Sequence, residues 1–316
     1  MPTTLLPLLV LVTTVLAQEP TPPATKPPAE ATPTTPLRFV FQWPDAGRVR
    51  VTKDGVKRGD TAVLDYLLVW TPRDGGGLQV QHADFHFRSV NGMDTTTPAR
   101  QKELAPLQFI TSILPELQVD AHGHVASVGP LAPMLAKADA KIEAEESASA
   151  RATLTKMMAA LRMPSAEKAG QAGLADDWSA WVGAWAGDLP AAGAQLQRDG
   201  HLVHLGATLP AKVTLKNHGA AEGHPHHVRL TRVATAEGDG ARTAFAEAFA
   251  AMAAESGQKF DPKAVLEVRV ELTYEVVTDP QTLRPLTAKR TRTGQIRLQD
   301  RQAPGIDETT KFTFAW

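Results

Sequence analysis

Residues 266–276 read LEVRVELTYEV, and this stretch limits what the chain can fold into more tightly than any other. Leu266, Val268, Val270, Leu272, Tyr274 and Val276 recur at period two, with Glu267, Arg269, Glu271, Thr273 and Glu275 between them. A period of two belongs to a β-strand, whose side chains point alternately to opposite faces. An apolar row against a charged row describes an antiparallel sheet with one buried and one wet face. Such a sheet needs a cover for its apolar side, so the remaining sequence must supply both more strands and a second layer.

Further strands are legible. RFVFQW places Phe39, Phe41 and Trp43 on one face, and VRV follows. TAVLDYLLVW is apolar on both sides, with Val63, Leu67 and Val69 opposite Leu64, Tyr66, Leu68 and Trp70, which predicts a central strand covered on both faces. The DGGG turn at 74–77 precedes LQVQHADFHFRSV, a strand with an irregularity expected near Ala83. LQVDAHGHVASV predicts a hairpin turning at Gly123. HLVHLG, AKVTLKNHG and HVRLTRV predict antiparallel strands, and TAKRTRTGQIRLQD two further paired segments. KFTFAW closes the chain with Phe312, Phe314 and Trp316 aligned.

The cover is written at period 3.6. ELAPLQFITSIL within 102–115 predicts a helix. Leu131, Met134, Leu135, Ala138 and Ile142 form one stripe and Leu154, Met157, Met158 and Leu161 a later one, which fits one long helix or two shorter ones. Leu174, Trp178, Trp181, Val182 and Trp185 follow at helical spacing, and an alanine-rich helix at about 241–256 turns Phe245, Phe249 and Met252 toward the fold. The class is α+β: a curved antiparallel sheet, or two β-rich lobes, with helices packed against it. The organisation is a β-rich region at 37–128, a helical middle at 129–190 and a second β-rich region at 191–316.

MPTTLLPLLVLVTTVLA, residues 1–17, predicts a signal peptide cleaved after Ala17, although no Lys or Arg precedes its apolar run. Residues 18–36 hold seven prolines in nineteen positions and predict an extended, solvated spacer. The expected location is therefore exported, periplasmic or extracellular, with a retained N-terminal anchor as the less favoured alternative. A formal net charge of -1 gives no electrostatic reason for nucleic-acid binding. The absence of cysteine excludes disulfides, thiolate nucleophiles and cysteine-ligated metals. The aromatic end FTFAW is a feature of outer-membrane barrels, but the charged strand faces and central helices speak against a lipid-facing band.

Two sets of residues carry the candidate sites. Imidazoles are good ligands for divalent transition metals. His82, Asp84 and His86 share a side if HADFH is a regular strand, and His218 precedes the cluster His224, His226 and His227 in GHPHH. Against this, successive same-face residues in a strand stand about 6.6 Å apart, and His226 and His227 would point to opposite faces. The second set is a hydrophobic-ligand surface in which Trp178, Trp181 and Trp185 oppose Leu266, Val268, Val270, Leu272 and Tyr274, with a solid core as the favoured reading of the same residues. No catalytic residue is assigned, because the sequence holds no GxSxG elbow, HExxH helix, phosphate loop or dinucleotide fingerprint.

The signal and proline spacer, the aromatic strands, LQVDAHGHVASV and VELTYEVVTDPQTLRPL together resemble uncharacterised secreted β-rich envelope proteins of Gram-negative bacteria, over roughly 37–316. More distantly, the order of strands and covering helices is similar to periplasmic lipoprotein-carrier folds. Those folds hold acyl chains on a concave apolar sheet, but no ligand motif matches here and no residue role carries over. The resemblance implies a non-enzymatic extracytoplasmic structural or interaction protein, with a hydrophobic small molecule or an envelope protein as partner and no cofactor. The alternative is a histidine-dependent metal-binding protein or metal-assisted hydrolase using a divalent metal. Neither nucleic acid nor a transmembrane partner is implied.

Overall fold

The computed structural model describes residues 37–39, 41–162, 164–255, 257–299 and 305–316; the predicted signal peptide and spacer lie outside them. Strand β1 (Leu37–Phe39) leads into β2 (Gly47–Lys57), β3 (Asp60–Pro72), β4 (Leu78–Val90) and the short β5 (Met93–Asp94). Helix α1 (Pro98–Ser112) precedes the hairpin β6 (Leu117–Val119) and β7 (Val125–Val128). Helices α2 (Ala132–Ala144), α3 (Ala148–Leu161) and α4 (Pro164–Trp178) follow, and a π-helical segment continues α4 over Ser179–Gly183. After β8 (Gly187–Leu189) come β9 (Gln195–His204), β10 (Ala207–Ala221), β11 (His224–Glu237) and α5 (Gly238–Glu255). The chain ends with β12 (Val265–Thr278), β13 (Pro285–Leu298) and β14 (Ile306–Ala315).

One open antiparallel sheet of 12 strands dominates, in the order β7-β6-β4-β3-β2-β14-β13-β12-β11-β10-β9 with β5 beside β4. The two β-rich regions join where β2 pairs with β14, Val51 opposite Phe314 and Lys53 opposite Phe312. The chain thus forms one sheet instead of two lobes. It curls strongly. Strands β13 and β9 are four steps apart in the order, about 19 Å in a flat sheet. Yet Arg292 Nη2 on β13 reaches the carbonyl oxygen of Val203 on β9 at 3.4 Å.

Among the described residues, α1, α5 and the π-helical segment pack on the apolar side of the large sheet. Helix α5 covers β10 and β12, α1 covers β4, and the π-helical segment covers β12 and β13. Two helices form between Ala132 and Leu161 because Ser147 caps the second, its Oγ accepting the Ala150 amide at 3.3 Å. A satellite core of Ile110, Leu131, Met134, Ala138, Leu154 and Met158 holds α1, α2 and α3 together.

Four expectations are corrected. RFVFQW is a strand only over Leu37–Phe39 and pairs with β8 outside the large sheet; Trp43 instead turns inward, 4.8 Å from the ring of Trp70. The outward residues Val63, Leu67 and Val69 of β3 are half-buried, not enclosed as the inward Tyr66, Leu68 and Trp70 are. TAKRTRTGQIRL is one continuous strand, not two, because Gly294 marks a close approach and not a turn: a Cβ there would stand 2.4 Å from the Arg269 carbonyl oxygen. Finally, a bulge between Val265 and Glu267 reverses the parity at the start of β12. Val265 takes the inward position and Leu266 is 45% exposed.

Candidate functional site

The covered sheet face is not apolar throughout. Inward residues of adjacent strands form a polar row, with Arg232 opposite Tyr274 and Tyr274 opposite Arg290, which in turn faces Thr310. The next row pairs Arg292 with Glu308 and Glu308 with Lys57. The end of α4 lowers two carboxylates onto these rows. Asp177 accepts from Lys53 Nζ and Arg290 Nη1, each at 2.7 Å. Asp176 accepts from Arg292 Nη2 and, at 3.3 Å, from the hydroxyl of Tyr274. Lys57 and Glu308 pair at 2.7 Å, and the Arg232 guanidinium lies 5.5 Å from the centre of the Tyr274 ring.

Electrostatics follow from this burial. Burial alone would raise the Asp177 carboxyl, but Lys53 and Arg290 overcome it and hold the group below the usual carboxylate range. Glu308 behaves likewise, with burial opposed by Lys57, Arg292 and Arg290. Burial pushes the Tyr66 and Tyr274 phenols up, with Asp177 and Asp176 adding to the effect, so both remain protonated donors. Each carboxylate is committed to cations, Asp176 and Asp177 from the end of α4 and Glu308 from β14. Chemically the arrangement is a clamp fastening α4 to the sheet, not a poised general acid and base.

The tryptophans lie beside the clamp. A π-helical turn inserts one extra residue per turn; here it follows Trp178, the last residue of α4, and carries Trp181. Trp178, Trp181 and Trp185 are all at 0% exposure. Trp178 Nε1 donates to the Gly123 carbonyl at 2.8 Å, and Trp185 Nε1 to that of Ala180 at 2.9 Å. Trp181 meets Phe312 and Phe314 edge-on, at 5.2 and 5.5 Å between ring centres. The Nε1 atoms of Trp181 and Trp43 are buried and have no acceptor among the described residues. Val268, Val270, Leu272 and Tyr274 are also buried in this main core, whereas Leu266 has left the candidate surface.

The histidines separate. Asp84 takes a left-handed backbone (φ 54°) beside a register irregularity between β3 and β4, so the regular alternation assumed for HADFH fails. His82 turns into the core against Tyr66, 5.3 Å between rings, while Asp84 and His86 face outward. Burial lowers the His82 pKa to about 4, although Asp177 pulls the other way. On the surface Asp84 accepts from Arg50 at 2.8 Å and pairs with His86 Nε2 at 2.7 Å, which together hold its carboxyl low. His224 and His226 are exposed and His227 is half-buried at the β10–β11 hairpin, with the His224 and His227 rings 5.8 Å apart. His218 is bonded to Thr231 Oγ1 at 2.9 Å. Among the described residues, no three His, Asp or Glu side chains come together in a way that would hold a metal ion.

Two shallow clefts lie apart from the clamp carboxylates and from the histidines of HADFH and GHPHH. One of about 330 Å³ opens on the outer sheet face among Arg229, Glu275, Val277, Thr287, Lys289 and Lys311. Another of about 540 Å³ lies at the β9 edge among Asp199, His201, Pro210, Lys212 and Glu237.

No protein-family model and no curated protein matches the chain. Among solved structures, one described as "lipid-protein interactions in lipovitellin" is similar over 87% of this chain and 25% of its own, with a TM-score of 0.41 and 9% identity. This chain therefore spans about a quarter of that neighbour's length. No matching family carries the resemblance to bacterial envelope proteins. Among the described residues, no helix is long and apolar enough to cross a membrane.

Sequence reasoning passed over Lys53, Asp176, Asp177, Arg290 and Arg292. One signal was present. In TAKRTRTGQIRL, Arg290 and Arg292 share the parity of Ala288 and Ile296, so burying the latter also buries the two guanidiniums. Two adjacent acids before Trp178 in ADDW supply their counter-charges.

Proposed function

We propose that the protein is a non-enzymatic extracytoplasmic structural or interaction module. The observation that carries this reading is the filling of the covered sheet face by the protein's own side chains. The tryptophans are fully enclosed and the buried carboxylates are spent on the clamp that holds their helix down. What remains for contact with a partner is the outer face, patterned with ion pairs such as Arg229–Glu275 and Arg297–Glu267. A second reading, carriage of a hydrophobic small molecule beneath the helices, draws on the indole N–H groups of Trp43 and Trp181, which lack acceptors inside an aromatic cluster.

Native mass spectrometry of the protein purified from its membrane-containing source decides between the two. The expected spectrum is the bare chain. A retained lipid-sized adduct, lost on Trp181→Asp substitution of a chain that still folds, would overturn the first reading and establish the second. N-terminal sequencing of the exported protein tests the location: the expected mature chain begins at Gln18, and an intact Met1 would contradict it.

A further inference from the structure

Two hairpin tips meet at one end of the buried polar rows. The β2–β3 turn has Arg58 and Gly59 at φ 53° and 86°, and the β9–β10 turn has Leu205 and Gly206 at φ 50° and 80°. Two successive residues with positive φ are the turn type that matches the twist of paired strands. The first turn is tied to β14, since the Arg58 amide donates to the Asp307 carbonyl at 3.2 Å. The second is tied to β13 through Arg292 and Val203. His204, Lys57, Arg58, Arg292 and Glu308 consequently lie within electrostatic reach of one another.

The hydrogen bonding here is incomplete in one direction. Among the described residues, Arg58 Nε and Nη1 and Arg292 Nε are buried without an acceptor, and both ring nitrogens of His204 lack a partner although the residue is only 5% exposed. A buried donor without an acceptor is destabilising, and more so when it is charged. Lys57 is already bonded to Glu308, and the Asp176 carboxylate is shared by Arg292 and Tyr274. The imbalance is thus of cationic N–H groups wanting oxygen acceptors, on a wall closed on the other side by Phe245, whose ring stacks 6.4 Å from that of His204.

We infer that this junction of Arg58, Arg292, Lys57 and His204 is a binding site for a small oxyanion. A phosphate or a carboxylate supplies several acceptor lone pairs in one compact group for the unpaired N–H groups of Arg58, Arg292 and His204. Neutral His204 contributes one ring N–H and need not be charged. The site shares Arg292 with the clamp, through its Nε and not through the Nη2 that holds Asp176, and it lies apart from both clefts; no part of the structural or interaction reading above requires it. Two sources share the chemistry: free inorganic phosphate, and the carboxylate end of a hydrophobic acid whose chain would lie along Phe245.

Titration calorimetry on the full chain at neutral pH, with inorganic phosphate in one arm and octanoate in the other, tests the site. The decisive variant is Arg58→Asn, because asparagine accepts the left-handed backbone of this turn and removes only the guanidinium. One saturable site is expected, weakened at least tenfold in R58N and unchanged in Lys212→Asn, where the lost cation is exposed and remote. Binding of phosphate alone identifies a free-anion site; binding of octanoate alone, or far more tightly, identifies a hydrophobic acid. Absence of saturable binding in both arms, or equal affinity in R58N, overturns the proposal. Arg58→Asn alters no residue of the tryptophan core, so a lipid adduct in the native spectrum would bear on the proposed function and not on this site.

Discussion

Asp177 Oδ2 lies 2.7 Å from Lys53 Nζ across 124 residues of sequence, and Asp177 Oδ1 meets Arg290 at the same distance. This contact brings a strand of the first β-rich region, a strand of the second and the helix between them to one carboxylate. Removing the carboxylate leaves two largely buried cations uncompensated. Truncating one member of a buried ion pair typically costs about 3–5 kcal/mol, whereas replacing the whole group with apolar residues is close to neutral. Asp177→Ala is therefore expected to lose on the order of 3 kcal/mol in urea unfolding followed by the buried tryptophans' fluorescence. Combining it with Lys53→Met and Arg290→Met should recover most of that loss. An additive triple variant would show that the clamp does not act as a unit.

Acid should weaken the fold well above the carboxylate range. Burial lowers His82 to about 4 and His204 to about 3, from the ordinary value of 6.5. The unfolded chain then binds a proton at these histidines before the folded chain does. Stability falls as pH drops below about 6.5, by roughly 1.4 kcal/mol per unit for each histidine, until the folded pKa is reached. Asp177 has the depressed-carboxylate sign: its contribution is present above the ordinary carboxyl range and is lost as pH falls below it. Between pH 7 and pH 5 each histidine should remove on the order of 2 kcal/mol. Unfolding curves over that interval should flatten in His82→Gln and in His204→Phe, the latter keeping a ring against Phe245. An unchanged slope in both variants would contradict this assignment.

Two strand glycines should respond differently to the same change. A Cβ on Gly294 would stand 2.4 Å from the Arg269 carbonyl oxygen and 2.9 Å from Val270 Cα, both backbone atoms of the neighbouring strand. On Gly55 the nearest atom is the Ala62 carbonyl oxygen at 3.9 Å, an ordinary contact. Gly294→Ala must push β12 and β13 apart, for an expected loss of about 1–3 kcal/mol. Gly55→Ala is expected to change stability by less than about 0.5 kcal/mol. Comparable losses in thermal or urea unfolding would remove close approach as the reason for Gly294.

Periodicity disclosed the elements, and its failures are local. The two-sided pattern of LEVRVELTYEV describes β12 correctly from Val268 onward, while a one-residue bulge inverts Leu266. A bulge likewise divides His82 from Asp84 and His86, because a single left-handed residue reverses every facing argument beyond it. The union of two β-rich regions into one sheet depends on β2 meeting β14, a pairing between distant segments that leaves no trace in either alone. The buried clamp was hidden for a related reason. Charged residues at inward parity read as surface until their counter-charges are known to lie above them, and those come from a helix more than 100 residues away.

The three-histidine hairpin gives the last prediction. His224 and His226 are exposed and His227 half-buried, and the two ring planes closest to each other are nearly perpendicular at 5.8 Å. They begin β11 directly after a two-residue turn, Glu222–Gly223, whose geometry comes from Gly223 at φ 72°, not from the imidazoles. Substituting all three by alanine should therefore change unfolding free energy by less than about 1 kcal/mol, as for surface positions outside any network. Removing Gly223's conformational freedom should matter more: Gly223→Val places a β-branched residue in a left-handed turn and is expected to cost at least about 1 kcal/mol. If micromolar zinc raised the melting temperature of the parent chain by several degrees and not that of the triple variant, the hairpin would be a metal site despite this spacing. Equal melting temperatures with and without zinc are the expected result, and they would leave the histidines as a polar hairpin tip.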